Sequence, residues 1–189
     1  MKRLSLYLFL IFFTLPTPSQ AEDIRDFQIE GMSIGDSALD HFSKEYLIKG
    51  LKNKSKNYPN KFQRVWIRDR EFNLYQYVSI ALKKGDPSYL IYGIAGMFDI
   101  NKKDECLTKK KSIENELTKV FDKSKITHSD RAAQQDKTGK SRVIGTYFYF
   151  KDGGNASVQC YLFTKETKIK SGLDVSIRSE ELSKYLRAL

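Results

Sequence analysis

The stretch RVIGTYFYFKDGGNASVQCYLFT, residues 142–164, decides the fold. Asp152-Gly153-Gly154-Asn155 is a tight-turn sequence, because glycine accepts the positive φ that a short hairpin loop demands. On either side, Arg142 to Phe150 and Ala156 to Thr164 alternate with period 2, the pattern of a strand with two unlike faces. Ile144, Phe148, Val158, Cys160 and Leu162 share one parity; Tyr147, Tyr149 and Tyr161 share the other. A hairpin makes its two strands antiparallel, so the sheet around it is expected to be antiparallel too.

Working outward, the same alternation recurs. Phe62 to Arg68 sets Val65 and Ile67 against Arg64, Trp66 and Arg68. Leu74 to Lys83 sets Leu74, Val78, Ile80 and Leu82 against Tyr75, Tyr77 and Ser79. Gly85-Asp86-Pro87 is a turn, and Tyr89 to Ile100 is a long, mostly apolar strand. Gly172 to Arg178 alternates Leu173, Val175 and Ile177 with Asp174, Ser176 and Arg178. Residues 104–122 place Cys106, Ile113, Leu117, Val120 and Phe121 at helical spacing. Ser179 caps a closing helix, and Ser33, with Asp36 three residues on, resembles the capping box of a first helix reaching toward Tyr46. Residues 49–61 and 123–141 are polar and aperiodic, and read as a solvated loop and a mobile loop. The expected fold is α+β: an antiparallel sheet of about six strands with helices packed on one face. The element order admits tandem α-β-β-β halves.

The N-terminus reads as an export signal. Lys2 and Arg3 precede the apolar run Leu4 to Leu15, prolines follow at 16 and 18, and Ser19-Gln20-Ala21 supplies small residues at a cleavage site. The run is short of the roughly 20 apolar residues that span a bilayer. Residues 1–21 are therefore expected to be removed, leaving residues 22–189 as one domain outside the cytoplasm, periplasmic or secreted, and not an integral membrane protein. Taking Lys2 and Arg3 from the 33 basic residues leaves 31 against 23 acidic ones, net +8. Such a charge favours anionic partners, and the compartment makes nucleic acid a poor one. Cys106 and Cys160 are the only cysteines, and in an exported chain the pair reads as a disulfide. Two cysteines and two unrelated histidines make no metal site, and no cofactor motif is present.

Gly31-Met32-Ser33-Ile34-Gly35 matches G-x-S-x-G, and Gly35-Asp36-Ser37-Ala38 resembles the first block of the GDS-L esterases, with Ser33 or Ser37 as nucleophile. The Gly-x-Asn-Asp block and the late Asp-x-x-His of those esterases do not occur here. His41 and His128 sit in unrelated contexts, so no complete triad can be assigned from the sequence. Ile29-Glu30-Gly31-Met32-Ser33-Ile34-Gly35-Asp36-Ser37, with Tyr89 to Gly96, a Cys at a helix start and a second Cys in a late strand, resembles a family of short exported proteins of unknown function from marine, low-GC alphaproteobacteria. That resemblance implies the address and no activity.

The strand parity supplies the functional expectation. With Val65, Ile67, Val78, Ile80, Ile144, Phe148, Val158, Leu162, Leu173 and Val175 facing the helices, the opposite face carries Trp66, Tyr75, Tyr77, Tyr89, Tyr147, Tyr149 and Tyr161 among Arg64 and Arg68. Aromatics interleaved with arginine are typical of recognition surfaces, although tyrosine also simply favours strands and residues 123–141 could cover the face. The expected function is a periplasmic binding or interaction module for a protein, glycan or anionic envelope component. A serine hydrolase of envelope esters and a structural envelope protein are the alternatives, and an enzyme is the less favoured class.

Overall fold

A computed structural model describes residues 24–52 and 60–189. The expected signal segment, residues 1–21, lies outside the described residues, as do residues 53–59 of the Lys/Asn-rich stretch.

Seven strands form one antiparallel sheet: β1 (Phe62–Ile67), β2 (Tyr77–Lys83), β3 (Ile91–Asp99), β4 (Lys125–Ala132), β5 (Arg142–Tyr149), β6 (Asn155–Leu162) and β7 (Gly172–Arg178). Their spatial order is β1-β2-β3-β7-β6-β5-β4. Two three-strand meanders thus run inward from opposite edges, and β7 joins them in the middle. Each meander follows a helix: α1 (Lys44–Leu51) precedes the first and α2 (Lys103–Val120) the second. The second half carries β7 in addition, so the halves are not equal in strand number.

The register explains the core. Val65, Ile80, Ile94, Ile177, Ala156 and Phe148 stand side by side across six strands, all buried, all on the face covered by α1 and α2. On α1, Leu47 enters this core, and Gly50 approaches Val65 so closely that a methyl group there would lie 2.5 Å from Val65 Cγ1. On α2, Cys106 and Leu117 do the same, and Cys106 is disulfide-bonded to Cys160 on β6 with Cα atoms 6.0 Å apart. The helix also buries a salt bridge: Lys110 Nζ lies 2.7 Å from Glu114 Oε2 and 2.7 Å from Thr146 Oγ1 on β5, and that hydroxyl donates to Glu114 at 2.8 Å. Every charge in this network has a partner, as burial requires.

The expectation of helices on one face holds for α1 and α2. The closing helix α3 (Glu180–Arg187), capped by Ser179 as expected, packs on the other face. Leu182 seats beside Phe62 and Ala81 and over Gly93, where a Cβ would come within 2.6 Å of it. Small residues at 81 and 93 leave the hollow that Leu182 fills.

Three local expectations are corrected. Residues 123–141 are not a mobile loop, since 125–132 are the edge strand β4. Paired on one side only, β4 needs no apolar stripe, so its polar sequence hides it. The following turn is fixed by Asp136, whose carboxylate accepts from Thr138 N and Oγ1 and from Ser141 N and Oγ at 2.6–2.8 Å. Hydrogen bonds from Ser141 and Thr138 hold that carboxyl well below the ordinary range. Ser33 does not cap a helix. Its N–H donates to Asp36 at 2.7 Å within a turn, Gly35 has φ +93°, and residues 35–38 pair with the backbone at Tyr89 and Ile91 instead. Past this turn, helical structure resumes at a 3-10 turn capped by Ser37 and at α1, capped by Ser43. Leu74 and Tyr75 precede β2 rather than belonging to it.

No helix among the described residues is long and apolar enough to cross a membrane.

Candidate functional site

On the face that α3 occupies, the middle row of the sheet is made of small residues. Ser79, Ala95, Ser176 and Ser157 stand in register, with Trp66 at one end of the row and Tyr147 at the other. Small side chains between large rings make a trough. α3 fills one end of it, over Ala81 and Gly93, and no other helix among the described residues lies above the rest.

At the β1-β2-β3-β7 end the trough deepens into a recess of about 400 Å³. Trp66, Arg68 and Tyr77 form one wall, Tyr161 and Phe163 the other, and Met97 and Asp174 lie between them. The Arg68 guanidinium is 4.9 Å from the Trp66 ring and 4.4 Å from the Tyr77 ring; Arg64 is 5.4 Å from Trp66. A guanidinium stacked on rings keeps its N–H edges in its own plane, ready for a carboxylate or phosphate. Across the recess Tyr161 and Phe163 stack with centroids 6.3 Å apart.

The rim is charge-paired. Tyr77 Oη donates to Asp99 at 2.8 Å, and Lys170 Nζ reaches the other oxygen at 2.7 Å. Burial would raise Asp99, but the hydrogen bonds from Lys170 and Tyr77 and the Arg68 charge hold it below the usual carboxylate range. Burial and the hydrogen bond to Asp99 push the Tyr77 phenol up to about 12; burial and Asp174 do the same to Tyr161.

Asp174 is the unusual group. It lies on a central strand, is 6 % exposed, and its Oδ1 has no hydrogen-bond partner. Burial pushes its pKa up against the opposing charges of Arg178 and Arg64 and the Ser176 hydroxyl. A buried carboxylate oxygen without a donor is costly, on the order of 1–3 kcal/mol or more.

Of the residues expected on this face, Trp66, Tyr77, Tyr161, Arg64 and Arg68 come together at the recess. Tyr147 and Tyr149 lie on the same face but line a second recess beyond α3. Tyr75 and Tyr89 are not on this face. Glu30, in a tight turn at φ +52°, accepts the N–H groups of Asn73, Leu74 and Tyr75, and the Tyr75 ring folds against Gly96 and Phe98 on the helix-covered side. Tyr89, at φ +50°, packs against the same helix-side core from the turn before β3. The face is neither fully open nor capped: Trp66 is 37 % exposed, while Tyr77, Tyr147, Tyr149 and Tyr161 are half-buried.

Sequence reading passed over Asp174, Asp99, Lys170 and Phe163, although a signal for Asp174 was there. An acid in the middle of a β-branched central strand, on the parity opposite Leu173 and Val175, has to be buried on the second face.

The two serines weighed as nucleophiles have no histidine bonded to them among the described residues. Ser37 Oγ donates to the Ser88 carbonyl at 2.8 Å, and His41 Nε2 lies 3.8 Å from Asp36 rather than against a hydroxyl. No group of three or more His, Cys, Asp or Glu side chains is placed to hold a metal among the described residues. In comparisons with known proteins, no family model, no curated protein and no solved structure matches this chain.

Proposed function

We propose that this chain is an exported binding module that seats a small ligand, or the terminal group of an envelope component, in the recess over Asp174. The carrying observation is Asp174, a buried acid with one unpartnered oxygen, among the residues that line a recess of about 400 Å³. Buried polar atoms are almost always satisfied, and one left bare in an accessible recess is satisfied when a ligand supplies the donor. The neighbouring groups narrow the ligand. It offers an N–H or O–H to Asp174, presents a negative or strongly accepting group to Arg68 and Lys170, and lays an apolar surface on Met97, Phe163 and Ile169. Acidic glycans and acidic peptide termini carry all three. The Cys106–Cys160 bridge supports an oxidising compartment, and the resemblance of Ile29 to Ser37 to short exported proteins supports the same address.

Trp66 is the only tryptophan and lines the recess, so its emission reports on occupancy without a label. Soluble envelope glycan fragments and acidic peptides are titrated against the protein while Trp66 emission is followed. A saturable shift is expected, lost in Asp174→Asn and in Arg68→Gln and kept in Tyr149→Ser across the sheet. A fragment bound calorimetrically with equal affinity by wild type and Asp174→Asn would sink the assignment, as would the absence of any responding fragment.

A further inference from the structure

The second recess on the same face, about 370 Å³, differs from the first in charge. Arg131 on β4, Arg178 on β7 and Arg187 on α3 all line it, and no carboxylate does. None of the three arginines makes an ion pair within 4 Å among the described residues, whereas Arg142 pairs with Asp130 and Lys184 with Glu180. Thr127 and Ser129 bring hydroxyls from β4, so every residue of that strand from 127 to 131 that faces this side contributes a donor. At the edge of the recess Asn155 is buried, with its amide nitrogen donating to Ser183 Oγ at 2.6 Å and its carbonyl oxygen unpartnered. Three like charges converging on one hollow repel one another, and an anion between them removes that repulsion. They outweigh the roughly half charge of opposite sign at the α3 C-terminus.

We infer that this recess is a second ligand site, separate from the one over Asp174, and that it takes a phosphoryl group. Guanidinium forks match the oxygen edges of a tetrahedral, doubly charged anion, and hydroxyls from Thr127 and Ser129 add neutral donors to it. The unpartnered Asn155 oxygen accepts from a hydroxyl of the group that carries the phosphate. This also accounts for the recess side of β4, where Thr127, Ser129 and Arg131 are all polar.

The test uses inorganic phosphate, glycerol 3-phosphate and vesicles of phosphatidylcholine with or without phosphatidylglycerol, at fixed ionic strength. Phosphate and glycerol 3-phosphate should bind saturably by calorimetry. Arg131→Gln, on the exposed edge strand, should weaken binding roughly tenfold or more, the loss of one charge-assisted contact. Arg178→Gln should do at least as much, and Tyr77→Phe, on the far wall of the first recess, should leave phosphate affinity unchanged. Vesicle binding that requires phosphatidylglycerol and is lost in Arg131→Gln would place the phosphoryl group on a lipid headgroup; binding of the soluble phosphates alone would place it on a free phosphoester. Acetate binding as tightly as phosphate, affinity unaltered in both arginine variants, or no binding of any probe would overturn the assignment.

Discussion

Replacing both Cys106 and Cys160 with Ala should lower the melting temperature by roughly 8–16 °C. The bridge spans a sequence separation of 54, and loop-closure entropy for a ring of that size contributes about 4 kcal/mol by restricting the unfolded chain. A domain of this length shifts by about 2–4 °C per kcal/mol. The native state gives little reason for a different number. Cys160 is already held in β6 by ladders to β5 and β7, and Cys106 sits in the first turn of α2, whose Leu117 and buried Lys110–Glu114 pair fix the helix independently. The cross-link therefore acts chiefly on the unfolded ensemble, and the folded variant should keep its packing. Thermal melts followed by far-UV circular dichroism would compare oxidised wild type, reduced wild type and the double variant. The reduced wild type and the variant should fall together. A fall of less than about 3 °C would refute the entropic reasoning, and a variant far below the reduced wild type would show that sulfur packing, not cross-linking, is what was lost. Two free thiols in the unfolded, unreduced protein would remove the bridge altogether.

Gly96→Ala should expel the Tyr75 ring, because a methyl group at 96 overlaps it; the cost is about 1–3 kcal/mol, the range for overpacking. The phenol, pushed up to about 12 chiefly by burial, should then titrate nearer 10, which ultraviolet difference spectroscopy reads directly. Glu114 is held at about 2: burial alone would raise it, but hydrogen bonds from Lys110, Lys111 and Thr146 outweigh that. Its folded pKa is depressed, so its contribution is complete above the ordinary value of 4.5 and is lost as pH falls from there toward 2. Lys110→Met breaks the buried pair, should cost about 3–5 kcal/mol at neutral pH, and should move the acid-unfolding midpoint upward in a pH titration by circular dichroism.

The helix-covered half of this protein was legible from its sequence because one rule governs it. Apolar residues at period 2 bury, so Val65, Ile80, Val158 and Val175 announce their face, and Cys160 shares the parity that brings it to Cys106. The hairpin at Asp152–Asn155 declares itself through two glycines. Where backbone and side chains answer to something else, the pattern fails. Edge strand β4 needs no apolar stripe and so resembled a loop. Ser33-Ile34-Gly35-Asp36 has the letters of a capping box, but Gly35 at positive φ turns the chain into an extended bridge with β3. Tyr75 lies two residues before β2, outside its regular pleat, and three backbone N–H groups held by Glu30 rotate it to the other side. Parity predicts direction only inside a ladder, and both Tyr75 and Tyr89 sit just beyond one.

The two unsatisfied buried oxygens among the described residues share one side of the sheet. Under α1 and α2, where water and ligands have no access, buried polar groups are paired: Lys110 with Glu114, Thr146 with both. The two buried side-chain oxygens without partners among the described residues, Asp174 Oδ1 and Asn155 Oδ1, both lie on the opposite face, on adjacent strands. One lines the mixed-charge recess and the other the arginine recess. A structural sheet face would be expected to satisfy such atoms or to replace them with apolar residues of similar size, since either change is available and stabilising. Asp174 stands in register between Met97 and Gln159, and its side chain takes no part in the backbone ladder. A buried acid there, between Arg64 and Arg178 that open on the two recesses, fits the proposal that this face completes its hydrogen bonds with something from outside the chain.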